Sequence, residues 1–334
     1  MDLADLVHPK PTGGESTLKF SIYSQMGWPD DRSQSDLFKN ELDQLSRAES
    51  QGYYCAWLAE HRSAQRGIGP AIHLSAANLA ARTRTIRIGT AITILPFMHP
   101  LRIAEEVAML DIVSEGRVEW SVGQSLDGDL TSEQSNEIFS EQLEIIQKAW
   151  TGNAFAHAGA FYQFDELQCF PNPVQQPGPT TYIASDNEET IKWAARMKYS
   201  IMTDPSLSVS QLEKQRRLFI EASDSADVDA GAPIIPTLRR VYVGESMQKA
   251  REEVTPGLLC DLNSDEDPEA SLKLLFDQCA IVGDVAYCRD RIAELRETLG
   301  LSHLIAWQNF GNLSHEQTLA SQERLITQVA PAFA

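Results

Sequence analysis

At 334 residues, 43% hydrophobic and 22% charged, the chain has the composition of a globular protein with a sizeable core, long enough for two average domains or one large α/β barrel with insertions. Its 47 acidic residues against 28 basic ones give a formal net charge of -19, a field that repels nucleic-acid phosphate and anionic membrane surfaces and excludes both as partners. The five cysteines (Cys55, Cys169, Cys260, Cys279, Cys288) show no CxxC and no zinc-like or disulfide-framework spacing, which fits a reduced, cytoplasmic setting.

The first 17 residues, "MDLADLVHPKPTGGEST", hold two prolines and two glycines, lack a basic segment followed by an apolar one, and read as a flexible tail before a single domain over 18–334. No run reaches the roughly 18 consecutive apolar residues of a membrane span. From Leu18 onward short β-rich runs alternate with longer amphipathic segments. "LKFSIY" (18–23) predicts a strand and "SDLFKNELDQLSRAESQG" (35–52) a helix ending at Gly52. "YYCAWLAE" (53–60) is the second strand, and "PAIHLSAANLAAR" (70–82) its helix, with Pro70 in the first turn. "IRIGTAITIL" (86–95), the helix 100–114, "RVEWSVG" (117–123) and the helix 132–150 follow. A Gly/Pro-rich stretch with a hairpin around "FYQFDEL" precedes "TTYIAS" (180–185), the helix 188–197, "YSIMTD" (199–204) and a further helix. "PTLRRVYVG" (236–244) and "LSHLIAWQ" (301–308) are strands seven and eight, separated by a stretch, 245–300, read as helical insertion. Eight strand-then-helix units favour a (β/α)8 TIM barrel with insertions over an open sheet.

In such a barrel the ligand site lies at the C-terminal ends of the strands. That rule singles out Glu60, His61 and Arg62 of "WLAEHR", then His99, Gln124, Asp127, Ser185, Asp186, Asn187, Asp204, Gln308 and Asn309. Metal-assisted hydrolysis is disfavoured because neither HxH nor HExxH occurs, and a serine nucleophile lacks its GxSxG elbow. In "ASDNEETIKW", Ser185, Asn187 and Thr190 stand where free N–H groups and the helix dipole suit a phosphate. Capping of that helix by Ser185 or Asp186 accounts for the same residues, and one segment can do both.

The run "WLAEHR" followed by "LAARTRTIRIGTAITILPFMHPLRIAEEVAMLDIVSEGRVEWSVG" resembles the bacterial luciferase-like flavin-dependent monooxygenases, as do "FPNPVQQPGPTTYIAS", "AIVGD" and the C-terminal "WQNFGNLSHEQTLASQERLITQVAPAFA". The resemblance implies a barrel that takes reduced FMN (FMNH2) from a separate NAD(P)H:flavin reductase. Addition of the co-substrate O2 at the flavin C4a carbon then gives a peroxide that oxygenates a small organic substrate. It implies that His61 is the catalytic histidine beside the flavin and that a cis peptide at Ala91-Ile92 lies against the isoalloxazine. Gln124, Ser185, Asp186, Asn187 and Thr190 are the implied cofactor contacts.

Two departures bear on the cofactor. Gln124 stands where the luciferase branch has a phosphate-holding arginine, with Asp127 and Asp129 close in sequence, and Arg62 stands where the luciferases have a second histidine. An F420-dependent oxidoreductase of the same fold and a non-catalytic flavin-binding protein are the alternative readings. The mouth would be lined by Tyr23, Met26, Trp28, Phe97, Trp307 and Phe310, suiting an apolar or aromatic substrate. The resemblance also implies a homodimer, with helices 70–82 and 100–114 offering small and apolar faces.

Overall fold

The computed structural model of the chain describes residues 17–28, 33–61, 67–124, 132–225, 235–260 and 267–334. Residues 1–16 of the expected tail, and Arg62, Asp127 and Asp129, lie outside the described residues. The elements run β1 (Lys19–Ser24), α1 (Gln34–Gln51), β2 (Cys55–Leu58), α2 (Ile72–Arg82), β3 (Arg87–Ile94), α3 (Pro100–Val113), β4 (Val118–Gly123) and α4 (Ser132–Trp150). Next come the hairpin β5 (Phe155–Ala158) and β6 (Gln163–Leu167), β7 (Thr180–Ala184), α5 (Glu188–Arg196), β8 (Ser200–Met202) and α6 (Val209–Ser225). The chain finishes with β9 (Thr237–Val243), α7 (Met247–Cys260), α8 (Pro268–Leu274), β10 (Ala280–Gly283), α9 (Val285–Leu299), β11 (His303–Trp307) and α10 (His315–Arg324).

All but the hairpin join one parallel sheet in the order β10-β9-β11-β1-β2-β3-β4-β7-β8. The sheet curls into the α/β barrel read from the eight strand-helix units. β8 meets β9 through side chains and not a ladder: Leu238 N donates to Thr203 Oγ1 (3.1 Å), which donates to Pro236 O (3.3 Å), and Arg239 Nη1 donates to Pro205 O (3.5 Å). The stretch 245–300 is not wholly helical, since β10 pairs with β9 from Ala280–Arg240 to Gly283–Val243. Four small and apolar residues carry too little periodicity to declare a strand. β2 is shorter than 53–60, although Tyr54 N and Ala59 N still bond to Phe20 O (2.8 Å) and Ser24 O (2.9 Å) of β1. Pro70 precedes α2, whose N-cap is Ala71. Among the described residues no helix is long and apolar enough to cross a membrane.

Alternation along the strands divides the core in two. Outward side chains such as Ile22, Leu58, Ile88 and Val122 pack under the helices, whereas Tyr23, Trp57, Ala91, Tyr182, Met202 and Trp307 fill the lumen. One register row crosses the lumen: Arg240 pairs with Trp307, Trp307 with Tyr23, Tyr23 with Trp57, and Trp57 with Gly89. Gly89 is the gap in that row, because a Cβ there would overlap the Trp57 indole. α7 packs Ala250, Val254 and Leu258 against the same cluster as Trp307, Phe310 and Leu313. It is drawn close by two facing glycines: a Cβ on Gly257 would run into Gly311 Cα and sit 2.6 Å from Asn312 N.

The same row continues from Gly89 into Glu119 of β4, the centre of a polar cluster. Glu119, 3% exposed at its side chain, pairs with Arg87 Nε and accepts from Tyr54 OH (3.1 Å) and Tyr182 OH (2.7 Å). His303 Nε2 lies 2.6 Å from Ser21 Oγ, and burial, helped by the Lys19 charge, holds the His303 pKa down to about 3. The unfolded chain protonates this histidine below its ordinary value of about 6.5 while the folded chain does not. Stability is therefore complete above that pH and falls as pH drops toward 3. Between pH 7.5 and 5 the loss from this group is about 2 kcal/mol, read as a lower urea midpoint. The decline should shrink in His303→Gln; an equal decline would place the acid lability elsewhere.

Candidate active site

The residues of "WLAEHR" separate by strand alternation. Glu60, 5% exposed, accepts from Ile94 N through Oε2 (3.2 Å) and so ties the end of β2 to the end of β3. His61 follows the C-terminal end of β2, two residues beyond Ala59 of the lumen cluster, and is half-buried. Its own N–H donates to Gly69 O (3.2 Å). Its ring packs against Gly67, where a Cβ would lie 2.5 Å from the imidazole Cδ2 and 2.6 Å from Gln25 O. Burial lowers the His61 pKa below the ordinary value, so near pH 7 the ring is neutral, with one nitrogen to donate and one to accept.

Across the mouth the Ala91-Ile92 peptide bond is cis, as the resemblance implied. The pairing of β3 with β4 shifts register between Thr90 and Thr93 at this point. Ala91 belongs to the lumen cluster, and Ile92 Cδ1 lies where a Cβ on Gly123 would be; that Cβ would also be 3.3 Å from Ala184 O. Ala91, Gly123 and Ala184 therefore form a floor of small residues.

Behind this floor Thr93 is held from two sides. Trp120 Nε1 can only donate, so Thr93 Oγ1 accepts from it (3.1 Å) and gives its own hydrogen to His73 Nε2 (3.2 Å). His73 Nδ1 then donates to Glu106 Oε2 (2.9 Å), and that hydrogen bond is the first cause of the lowered Glu106 pKa. Nothing in the sequence reading singled out His73; a histidine on a helix face has no local signal that its partner lies on a strand.

At the rim, Gln124 Nε2 donates to Asn136 Oδ1 (2.7 Å), and Thr190 Oγ1 reaches the same oxygen at 3.5 Å. Asn187, and not Ser185 or Asp186, caps α5: its Oδ1 accepts from Glu189 N (3.0 Å) and Thr190 N (3.1 Å). Ser185 Oγ accepts from Asn187 N (3.1 Å). Gln124, Ser185, Asn187 and Thr190 thus come together, joined by Asn136, while Asp186 is exposed outside this network. The acidic first turn of α5 is offset laterally by Glu188–Lys214 (2.6 Å) and Glu189–Lys192 (2.7 Å).

Tyr23, Trp307 and Phe310 are buried members of the lumen cluster, whereas Met26 belongs to the outer core and the Phe97 side chain lies outside the described set. Trp57 Nε1, Ser121 Oγ and Trp307 Nε1 are buried without a hydrogen-bond partner among the described residues. Unpartnered polar atoms in an aromatic lumen, a floor of small residues and a rim of amides at a helix N-terminus fit a flat heteroaromatic with a polar edge and an anionic tail, as FMN has.

Residues 18–303 match the family model described as luciferase-like monooxygenase. The oxygenase component of the flavin-dependent trigonelline monooxygenase of Acinetobacter baylyi is 27% identical over 366 aligned residues, spanning 95% of this chain and 96% of that one. Two solved structures share the fold. The oxygenating constituent of 3,6-diketocamphane monooxygenase from a Pseudomonas putida plasmid, in complex with FMN, superposes with a TM-score of 0.83 at 18% identity over 95% of this chain and 99% of that one. The F420-dependent tetrahydromethanopterin reductase of Methanopyrus kandleri gives 0.75 at 17% identity over 96% and 100%. With the family model covering most of its length and the barrel mouth built as described, this chain belongs to the luciferase-like monooxygenase family.

Proposed function

We propose that the chain is the oxygenase component of a two-component monooxygenase, taking reduced FMN from a separate NAD(P)H:flavin reductase and using O2 to oxygenate an apolar or aromatic substrate. The observation that supports this reading is the placement, at the C-terminal ends of neighbouring strands, of a half-buried neutral histidine, a small-residue floor and an amide rim at a helix N-terminus. Bound reduced FMN would supply the electrons that activate O2. Gln124, Asn136 and Thr190, with the N-terminus of α5, would hold the phosphate by neutral hydrogen bonds and dipole. Ala91, with no side chain beyond Cβ, would leave room for the ring. His61 would hold or move a proton at an imidazole nitrogen, and the aromatic row of the lumen would exclude water.

A neutral rim suits a single phosphate better than the longer polyanionic tail of F420, because Lys192 and Lys214 are already paired with Glu189 and Glu188. Anaerobic titration with reduced FMN, oxidised FMN and F420 tests the choice. Reduced FMN should bind most tightly, at micromolar concentration; F420 binding more tightly would reverse the cofactor. Binding of none below ~1 mM would overturn the reading. The proposal includes a homodimer through α2 and α3, which expose Leu74 (74%), Met109 (55%) and Val113 (55%). Sedimentation should give twice the chain mass, and Met109→Lys with Val113→Lys should give monomers.

A further inference from the structure

Beneath the mouth, aromatic side chains and one carboxylate form a continuous path to the opposite end of the barrel. Trp57 is fully buried two residues before Ala59 on the inner face, and its ring meets Tyr182 edge-on with centroids 5.5 Å apart. Tyr182 OH donates to Glu119 Oε2 (2.7 Å), and Tyr54 OH donates to Oε1 of the same carboxylate (3.1 Å). Tyr54 is half-buried beside exposed Lys19, whose ammonium lies 4.1 Å from the ring centroid.

We propose that Trp57, Tyr182, Glu119 and Tyr54 form a relay that carries oxidising equivalents from the barrel mouth to the solvent side. The chemistry of each site sets the direction. Trp57 Nε1 has no acceptor among the described residues, so an oxidised indole has nowhere to lose its proton and remains a strong oxidant. Tyr182 has a carboxylate waiting at hydrogen-bond distance, so its electron and proton can leave together. Burial and the neighbouring Glu119 push the Tyr182 pKa well above its ordinary value, which keeps the phenol protonated until the electron goes.

The oxidant is of the hydroxyl-radical class, a stray product of O2 chemistry at the mouth, so the physiological use of the relay rests on the oxygenase reading. The radical takes one electron from the Trp57 indole and leaves as hydroxide. Tyr182 gives that electron to Trp57 and its phenolic proton to Glu119 Oε2, leaving a neutral phenoxyl. Tyr54 then gives an electron to Tyr182 and its proton to Glu119 Oε1, while Glu119 returns a proton to Tyr182. A soluble thiolate finally reduces Tyr54 by one electron as Glu119 gives its proton back, and the thiyl radical stays outside the barrel. The net exchange is hydroxyl radical plus thiolate to hydroxide plus thiyl.

The test is ultraviolet photoionisation of tryptophan in the full chain with no flavin added, followed by transient absorption. The indole radical signal should decay as a phenoxyl signal grows. In Tyr182→Phe and in Trp57→Phe most of the phenoxyl yield should be lost, with circular dichroism unchanged. In Tyr54→Phe the phenoxyl should form but persist when a soluble thiol is added. Unchanged phenoxyl yield in a folded Tyr182→Phe variant would overturn the relay. So would equal thiol quenching with and without Tyr54, a comparison that remains decisive if Tyr182→Phe does not fold. Because no flavin is present, failure of FMN to bind would remove the oxygenase reading and leave this result standing, and the reverse also holds.

Discussion

Glu119→Ala will lower the unfolding free energy by about 3–5 kcal/mol, the usual cost of removing one partner from a buried ion pair. The carboxylate serves Arg87, Tyr54 and Tyr182 together, and its loss leaves two tyrosine hydroxyls without their acceptor and Arg87 without its counter-charge. Arg87 keeps Val118 O (2.9 Å) and Gln175 Oε1 (3.0 Å), which hold the guanidinium in place and prevent it from swinging freely to water. Urea unfolding should show the midpoint falling with little change in slope. Glu119→Gln should recover part of the loss, since an amide oxygen still accepts from the tyrosines. A change below about 1 kcal/mol in Glu119→Ala would mean that Arg87 escapes to solvent and that the pair does not hold the barrel floor.

His61→Ala should lower FMN-dependent oxygen uptake by about 10²-fold, the low end of what a positioned acid or base contributes, with stability little changed. The pH dependence separates this from a packing effect. Burial lowers the His61 pKa, so the neutral ring persists down to a pH below the ordinary histidine value and is lost only as pH falls further. The native rate should therefore be flat across neutral pH and fall on the acid side, and His61→Gln should lack that acid limb. A retained acid limb in His61→Gln, with the native rate, would take the histidine out of the proton chemistry.

Much of the barrel was legible because each of the eight expected strands begins and ends within two residues or so of a local signal, whereas β10 carries none. Gly52, in the left-handed region at φ 91°, ends α1 where a C-terminal glycine was expected, and the alternation in "CAWLAEH" already separates Glu60 from His61. What escaped depends on partners far apart in the chain. Gln124 and Asn136 are joined across an intervening segment that carries no periodicity, and the cap of α5 falls to Asn187 by backbone geometry that composition cannot distinguish from Ser185 or Asp186. Glu119 in "RVEWSVG" reads as an ordinary polar alternate of a half-exposed strand. Only barrel closure turns that alternate position into the buried centre of three contacts.

The Thr203 junction gives the cylinder a seam. Around the rest of the wall strands are laced by ladders, as between β1 and β11 over five residue pairs, but between β8 and β9 the bonds among the described residues run through side chains, Thr203 Oγ1 with Leu238 N and Pro236 O, and Arg239 Nη1 with Pro205 O (3.5 Å). Dilating the barrel elsewhere would break several backbone bonds at once; at the seam it exchanges a few side-chain contacts. The calibre of the lumen is thus set by its weakest stave, and bulk on a guest molecule will be tolerated first on the side of β8 and β9.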